Sequence, residues 1–252
     1  MGERNEKPKL NLKKLLMKMK FIATGLLFLS FSLLHAQNQG IATYTVSVAE
    51  DEDDPMQQQM INVFPDLFDY IDQLTFQLHF NNQASYFTLE DKMYENELTE
   101  LTIKATALVA HYTKPQVRIE DKTYAKKEKN TYVNAGKWMV SDVNIDWEIT
   151  QETKQINNYT VYKANAVYNT GATKEKYKKA KVTAWFCPEI PMPYGPLNFG
   201  NLPGLIFEVN FKNVSYGLTK IEFKPVKIPE VDFENTVTIE EDERMTKEYF
   251  GM

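Results

Sequence analysis

Residues Asn201 to Phe211 read NLPGLIFEVNF, and the reading of this stretch decides the fold. From Leu205 onward the side chains alternate: Leu205, Phe207, Val209 and Phe211 fall on one side of an extended chain, and Ile206, Glu208, Asn210 and Lys212 on the other. A period of two marks a strand that buries one face. The Pro203-Gly204 pair ahead of it is flanked by leucines, not by the polar residues usual around turns. Proline presets φ near about −65° and glycine accepts positive φ, which suits the two central positions of a type II turn. Leu202 to Leu205 is therefore expected to be a tight, packed corner that closes one end of a curved sheet.

Upstream, Pro188 to Gly204 (PEIPMPYGPLNFGNLPG) holds five of the chain's 11 prolines. Proline has no N–H to give to a ladder, so the segment is expected to be an ordered irregular loop or PPII-like edge between strands. One reading makes it structural. The other makes it a rigid lip for a ligand or partner, because proline and aromatic surfaces lose little entropy on binding. The candidate lip residues are Trp185, Glu189, Pro191, Tyr194, Phe199, Leu202, Pro203 and Gly204.

The same alternation recurs along the chain. Ala42, Tyr44, Val46 and Val48 alternate with Ile41, Thr43, Thr45 and Ser47, and Leu74, Phe76, Leu78 and Phe80 with Gln73, Thr75, Gln77 and His79. A turn at Asn81 to Ala84 leads from the second run into SYFTL, a hairpin signal. After Pro115 the pieces QVRIED, TYAKKEK, TYVN, KWMVSD and WEITQETKQINNYTVYKANAVY read as short strands. Asn134-Ala135-Gly136, Asn157-Asn158 and Asn169-Thr170-Gly171 separate them as in an antiparallel meander. The lysine run Lys174 to Lys181 reads as a solvated hairpin tip or edge.

Two helical segments interrupt the strands. Asp54 can cap a helix with Pro55 at its first position, and Met60, Phe64, Leu67, Ile71 and Leu74 recur at helical spacing, divided by Pro65. Leu98, Leu101, Ala105, Leu108 and Tyr112 recur at a spacing that suits a second helix, although LTIKATALVAHYT would also suit a strand. These readings predict a β-rich α+β fold: a curved, half-barrel-like antiparallel sheet with one or two helices on its concave face. Residues 1–36 are read as a signal segment, 37–228 as one globular domain and 229–252 as an acidic tail or short helix.

The run WEITQETKQINNYTVYKA followed by AWFCPEIPMPYGPLNFGNLPGLIFEV resembles the GLPGLI family of exported Bacteroidota proteins, with Trp147, Lys154, Trp185, Pro191, Gly195 and Leu202 to Ile206 among the matching positions. The chain departs from the family pattern at Asn201, where the motif begins with glycine, and at Val161, where many members have cysteine. The resemblance implies an exported address and a β-rich architecture, not an activity.

Lys13, Lys14, Lys18 and Lys20 precede the 14-residue apolar run Phe21 to Leu34, and His35-Ala36-Gln37 follows it. A basic stretch, an apolar run too short for the roughly 20 residues of a membrane span, and a small residue before polar sequence predict an export signal cleaved after Ala36. Removing residues 1–36 takes away seven basic and two acidic residues, which leaves 22 against 32, or −10. That charge argues against nucleic acid as a main partner. After cleavage no membrane anchor is expected, and the address is periplasmic or cell-surface.

No chemistry is assigned from the sequence. Past residue 36 the histidines are His79 and His111, and neither neighbours a nucleophile pattern. Cys187 is the chain's one cysteine, in an apolar setting, so no intramolecular disulfide forms. No spacing suggests a metal site or a phosphate or dinucleotide loop. No cofactor is expected. The preferred expectation is a non-catalytic envelope protein that binds an apolar ligand or another envelope component at the Pro-rich lip. The alternative is an envelope-polymer hydrolase acting through Asp and Glu residues such as Asp146 and Glu148.

Overall fold

A computed structural model describes residues 38–129, 131–142, 145–170 and 178–251. The segment read as an export signal and residues 174–177 of the lysine run lie outside the described residues. Strand β1 (Gly40–Val48) stands at the middle of a 12-stranded sheet. To one side of it lie β2 (Thr75–Phe80), β3 (Ala84–Leu89), β4 (Gln116–Ile119), β5 (Lys122–Lys126) and β6 (Trp138–Asp142). To the other side lie β11 (Val214–Glu222), β10 (Leu205–Phe211), β9 (Lys178–Cys187), β8 (Tyr159–Thr170) and β7 (Glu148–Ile156). With a short last strand, β12 (Thr236–Thr238), the order is β12-β6-β5-β4-β3-β2-β1-β11-β10-β9-β8-β7. Each half is a meander, and the β1–β11 pairing, Ala42 opposite Ile221 through Val48 opposite Val214, joins them.

The sheet is open, curved and antiparallel except at one edge. There β12 (Thr236–Thr238), from the segment read as a tail, pairs parallel with β6. Both edges are guarded, since β12 is three residues long and β7 carries a register shift between Ile149 and Thr153 together with charged side chains. The β7–β8 turn places Asn157 and Asn158 at φ of 49° and 68°, the two left-handed positions of a type I′ hairpin, which asparagine tolerates. TYVN, expected to be a strand, is irregular, and Asn134 and Gly136 beside it turn the chain at positive φ.

The inner face holds the main core. Ala42, Tyr44 and Val46 of β1 and Phe76, Leu78 and Phe80 of β2 are buried, as their alternation predicts. Phe76 stacks on Phe87 at 5.5 Å and meets Tyr216 and Tyr112 edge-on at 5.1 and 5.2 Å. Helix α1 (Pro55–Val63) begins as expected: the Asp54 carboxylate accepts hydrogen bonds from the Met56 and Gln57 amides, with Pro55 in the first turn. A 3₁₀ segment (Leu67–Gln73) follows it.

Helix α2 (Glu97–Val109) forms where expected, and of the residues at that spacing Ala105 and, beyond its end, Tyr112 are buried, but the two leucines of its first turns are not. Leu98 is 67% and Leu101 47% exposed, while Ile103, Thr106 and Ala107 are buried. The cause is close approach. The Thr106 hydroxyl lies within hydrogen-bond distance of the Leu67 carbonyl at 3.1 Å and the Thr102 carbonyl at 2.8 Å, contacts that need a small side chain at the interface. Helix α3 (Ile239–Phe250) ends the described chain with no buried residue.

A second, smaller core lies on the outer face. Val117, Tyr124 and Trp138 are buried there, covered in part by Ile228 and Val231 of the extended segment that leads back to β12.

Candidate functional site

Between β9 and β10 the Pro-rich segment folds by a repeated local rule. Met192 N–H donates to the Ile190 carbonyl at 2.7 Å, Tyr194 N–H to Met192 at 2.8 Å, and Gly204 N–H to Leu202 at 2.8 Å. Each bond spans two residues around one proline, Pro191, Pro193 or Pro203. This is the pattern of an inverse γ-turn, whose central φ of about −75° proline already supplies. The side chains then alternate: Ile190, Met192 and Tyr194 are buried, and Pro191 and Pro193 are exposed.

The corner at Pro203-Gly204 is therefore not a type II turn, because Gly204 does not sit at positive φ. Glycine is required there by crowding. A Cβ on Gly204 would overlap the Cys187 carbonyl oxygen and lie 2.5 Å from its carbonyl carbon. The left-handed residue is Asn201, at φ 66°, where the GLPGLI motif has glycine. Asparagine tolerates that conformation.

The segment packs down onto the sheet. Phe199 meets Phe211 at 5.0 Å and Tyr168 at 5.4 Å, both from inner-face strands. Leu205 N–H donates to the Ile190 carbonyl and Ile206 N–H to the Tyr194 carbonyl, each at 2.9 Å. The Tyr44 hydroxyl, fully buried, donates to the Ile206 carbonyl at 2.6 Å, and burial pushes its pKa far above the usual tyrosine range. A Cβ on Gly195 would lie 2.8 Å from Ile206. Phe186 and Cys187 are buried in succession, as are Leu205, Ile206 and Phe207, so both faces of this end of the sheet are covered.

Two side chains from elsewhere clamp the segment, and neither was among the residues singled out as a lip. Arg118 of β4, 3% exposed, donates from Nη1 to the Asn198 carbonyl at 2.7 Å and from Nη2 to Asn201 Oδ1 at 2.6 Å. It also donates from Nε to the Glu120 carbonyl at 3.2 Å. Burial lowers its pKa, with Tyr194 and Asp121 opposing that shift. The Trp147 indole N–H donates to the Gly200 carbonyl at 2.8 Å. Alternation hides Arg118, since its neighbours Val117 and Ile119 claim the buried face of β4. Both faces of β4 are in fact covered.

The eight candidate lip residues do not form one accessible surface. Tyr194, Phe199 and Leu202 are core side chains at 4%, 2% and 1% exposure, and Gly204 is buried. Glu189, Pro191 and Pro203 are exposed. Trp185 faces away from Ala184 and Phe186, on the outer side, with Lys154 Nζ 4.3 Å and Lys163 Nζ 6.0 Å from its ring centre.

His79 and His111 lie on separate elements. Burial is the main cause lowering both pKa values, aided by Lys224 at His79 and Lys212 at His111. Burial raises the Cys187 thiol pKa. Asp146 and Glu148 are exposed. Among the described residues no cluster of three or more His, Cys, Asp or Glu side chains could hold a metal ion, and no helix is long and apolar enough to cross a membrane.

A family profile described as "Protein of unknown function (Porph_ging)" matches residues 168–208, from the end of β8 through the Pro-rich segment into β10. No curated protein matches. Among solved structures, one of PNGF-II in space group C2 is similar at 13% identity and a TM-score of 0.46 over 83% of this chain. Another, in P21, is similar at 14% identity and 0.45 over 80%. The chain spans about a third, 32% and 31%, of those longer chains.

Proposed function

We propose that this chain is an exported, non-catalytic cell-envelope protein of the GLPGLI kind, which acts by binding another envelope component through the outward ridge of its Pro-rich segment. One observation carries the reading. Pro191, Pro193 and Pro203 stand outward with Glu189, while Ile190, Met192, Tyr194 and Leu202 anchor the same backbone in the core. A ridge held from beneath has little conformational freedom left to lose on association. The inner face is occupied by α2 and the Pro-rich segment, which favours an external partner over an apolar ligand held inside.

The test is a photo-crosslinking amino acid placed at position 191 or 203 in cells that express the protein. A discrete adduct is expected from both positions and not from position 45, exposed on the outer face of β1. The same adducts from all three positions, or none from 191 and 203, overturn the binding role. Recovery of the protein in the cytosolic fraction with residues 1–36 attached overturns export.

A further inference from the structure

The outer face of β9 and β10 carries polar cross-strand pairs that neither the core nor the proline ridge uses. Trp185 stands opposite Glu208 and Thr183 opposite Asn210, with Lys181 next along β9 and Lys212 in the turn that leaves β10. Thr183 Oγ1 is 3.0 Å from Asn165 Oδ1 on β8, and Asn210 Nδ2 donates to Glu208 Oε1 at 2.8 Å. Beyond Glu208, Gly217 of β11 leaves the platform bare, for a Cβ there would meet nothing within 4 Å. A shallow depression of about 330 Å³ opens at the lysine end, lined by Lys181, Thr183, Asn210 and Lys212 with Ala180 and Phe211.

The charge here runs against the rest of the molecule. Glu208 is engaged by Lys154 at 2.6 Å, and Glu152 by Lys163 at 3.0 Å. Among the described residues no carboxylate lies within ion-pair distance of Lys181 or Lys212, so the depression holds two cations on a chain whose net charge is −5. Hydroxyl and amide groups fixed on rigid strands suit a ligand rich in hydroxyls, and ammonium groups with no carboxylate beside them among the described residues suit carboxylates.

We propose that the Trp185-to-Lys212 stripe is a binding site for an acidic polysaccharide, with carboxylates placed at Lys181 and Lys212 and sugar hydroxyls on Thr183 and Asn210. Two-residue steps along a strand are about 6.8 Å, so the stripe from Trp185 to Lys181 is about 14 Å long and engages several sugar units. The site shares no residue with the proline ridge and does not depend on that reading.

The test uses the purified full chain and a defined probe, hexagalacturonate, with maltohexaose and poly-glutamate as comparators. The expected result is saturable binding of hexagalacturonate by calorimetry that weakens steeply with added salt. Binding of the two comparators is expected to be at least tenfold weaker. Lys181→Glu with Lys212→Glu is expected to weaken hexagalacturonate binding at least tenfold. Lys122→Glu on β5 is expected to change it less than twofold, with both variants melting near the parent temperature. Equal binding of maltohexaose or poly-glutamate, no binding of hexagalacturonate, or unchanged binding by the double variant overturns the proposal. Should the double variant misfold, Thr183→Val serves in its place, with the same tenfold loss expected and an unchanged affinity counting against the site.

Discussion

The guanidinium of Arg118 reaches the backbone carbonyl of Asn198 at 2.7 Å, across 80 residues of chain. This bond and its partner to Asn201 tie the first meander to the Pro-rich segment inserted in the second. Arg118→Ala removes three hydrogen bonds donated by a buried guanidinium and is expected to destabilise the fold by about 3 kcal/mol. Arg118→Lys should recover less than half of that, because one ammonium cannot span three acceptors set for a planar fork. Urea titrations check both, and a loss below about 1 kcal/mol for each variant would show that the clamp contributes little.

Gly204 and Asn201 separate crowding from backbone conformation. Gly204→Ala drives a methyl into the Cys187 carbonyl and is expected to cost about 3 kcal/mol or to prevent folding. Asn201→Gly removes the bond to Arg118 but relieves the left-handed strain at φ 66°, so it should fall within about 1 kcal/mol of the parent. Thermal melts of the two variants give the comparison. Equal and small effects would mean that the corner is not packed.

Strand content was legible because the alternation is regular in β1 and β2 and, from Phe207 onward, in β10, and asparagine turns punctuate it. Alternation says which residues share a face, but not what covers that face. Arg118 and Val117 are both buried because the segment through Ile228 and Val231 builds a second core on the outer side of β4, and nothing local announces a covering segment more than 100 residues away. The Pro-rich segment was legible as rigid and irregular. That it packs its aromatics into the sheet follows from Phe199, Phe211 and Tyr168 meeting in space, which no spacing encodes. The site stripe on β9 and β10 was missed because Thr183 and Asn210 look like ordinary solvent-side strand residues.

Helix α2 offers a direct check on which face is buried. Ile103→Ala removes a core side chain and is expected to cost about 3 kcal/mol, whereas Leu98→Glu should stay within about 0.5 kcal/mol of the parent. Thr106→Val keeps the volume but removes the hydroxyl beside the Leu67 carbonyl, with an expected loss of about 1 kcal/mol. Chemical denaturation ranks the three. A loss at Leu98 as large as that at Ile103 would place the helix with its leucines inward.

Cys187 is fully buried, and burial holds its thiol above the usual cysteine range. A disulfide-exchange reagent such as DTNB should therefore label it only as fast as the chain opens, with the rate rising in step with the unfolded fraction in urea. Rapid labelling of the folded protein at neutral pH would contradict the packed end of the sheet.

Acid sensitivity should centre on the histidines. Burial and the neighbouring lysines, Lys224 at His79 and Lys212 at His111, hold both folded pKa values below the ordinary value, with Asp54 opposing the shift at His111. His111 Nε2 is buried and has no hydrogen-bond partner among the described residues, so a proton added there would find no acceptor among them. As pH falls through about 6.5 the unfolded chain takes up protons before the folded one does. Stability is therefore full above that pH and declines as the pH drops from there toward the folded values. His111→Asn keeps a side chain suited to φ 61° but removes the titrating group, so its denaturation midpoint should fall less between pH 7.5 and pH 5.5 than the parent's. Parallel declines in parent and variant would assign the acid response to other groups.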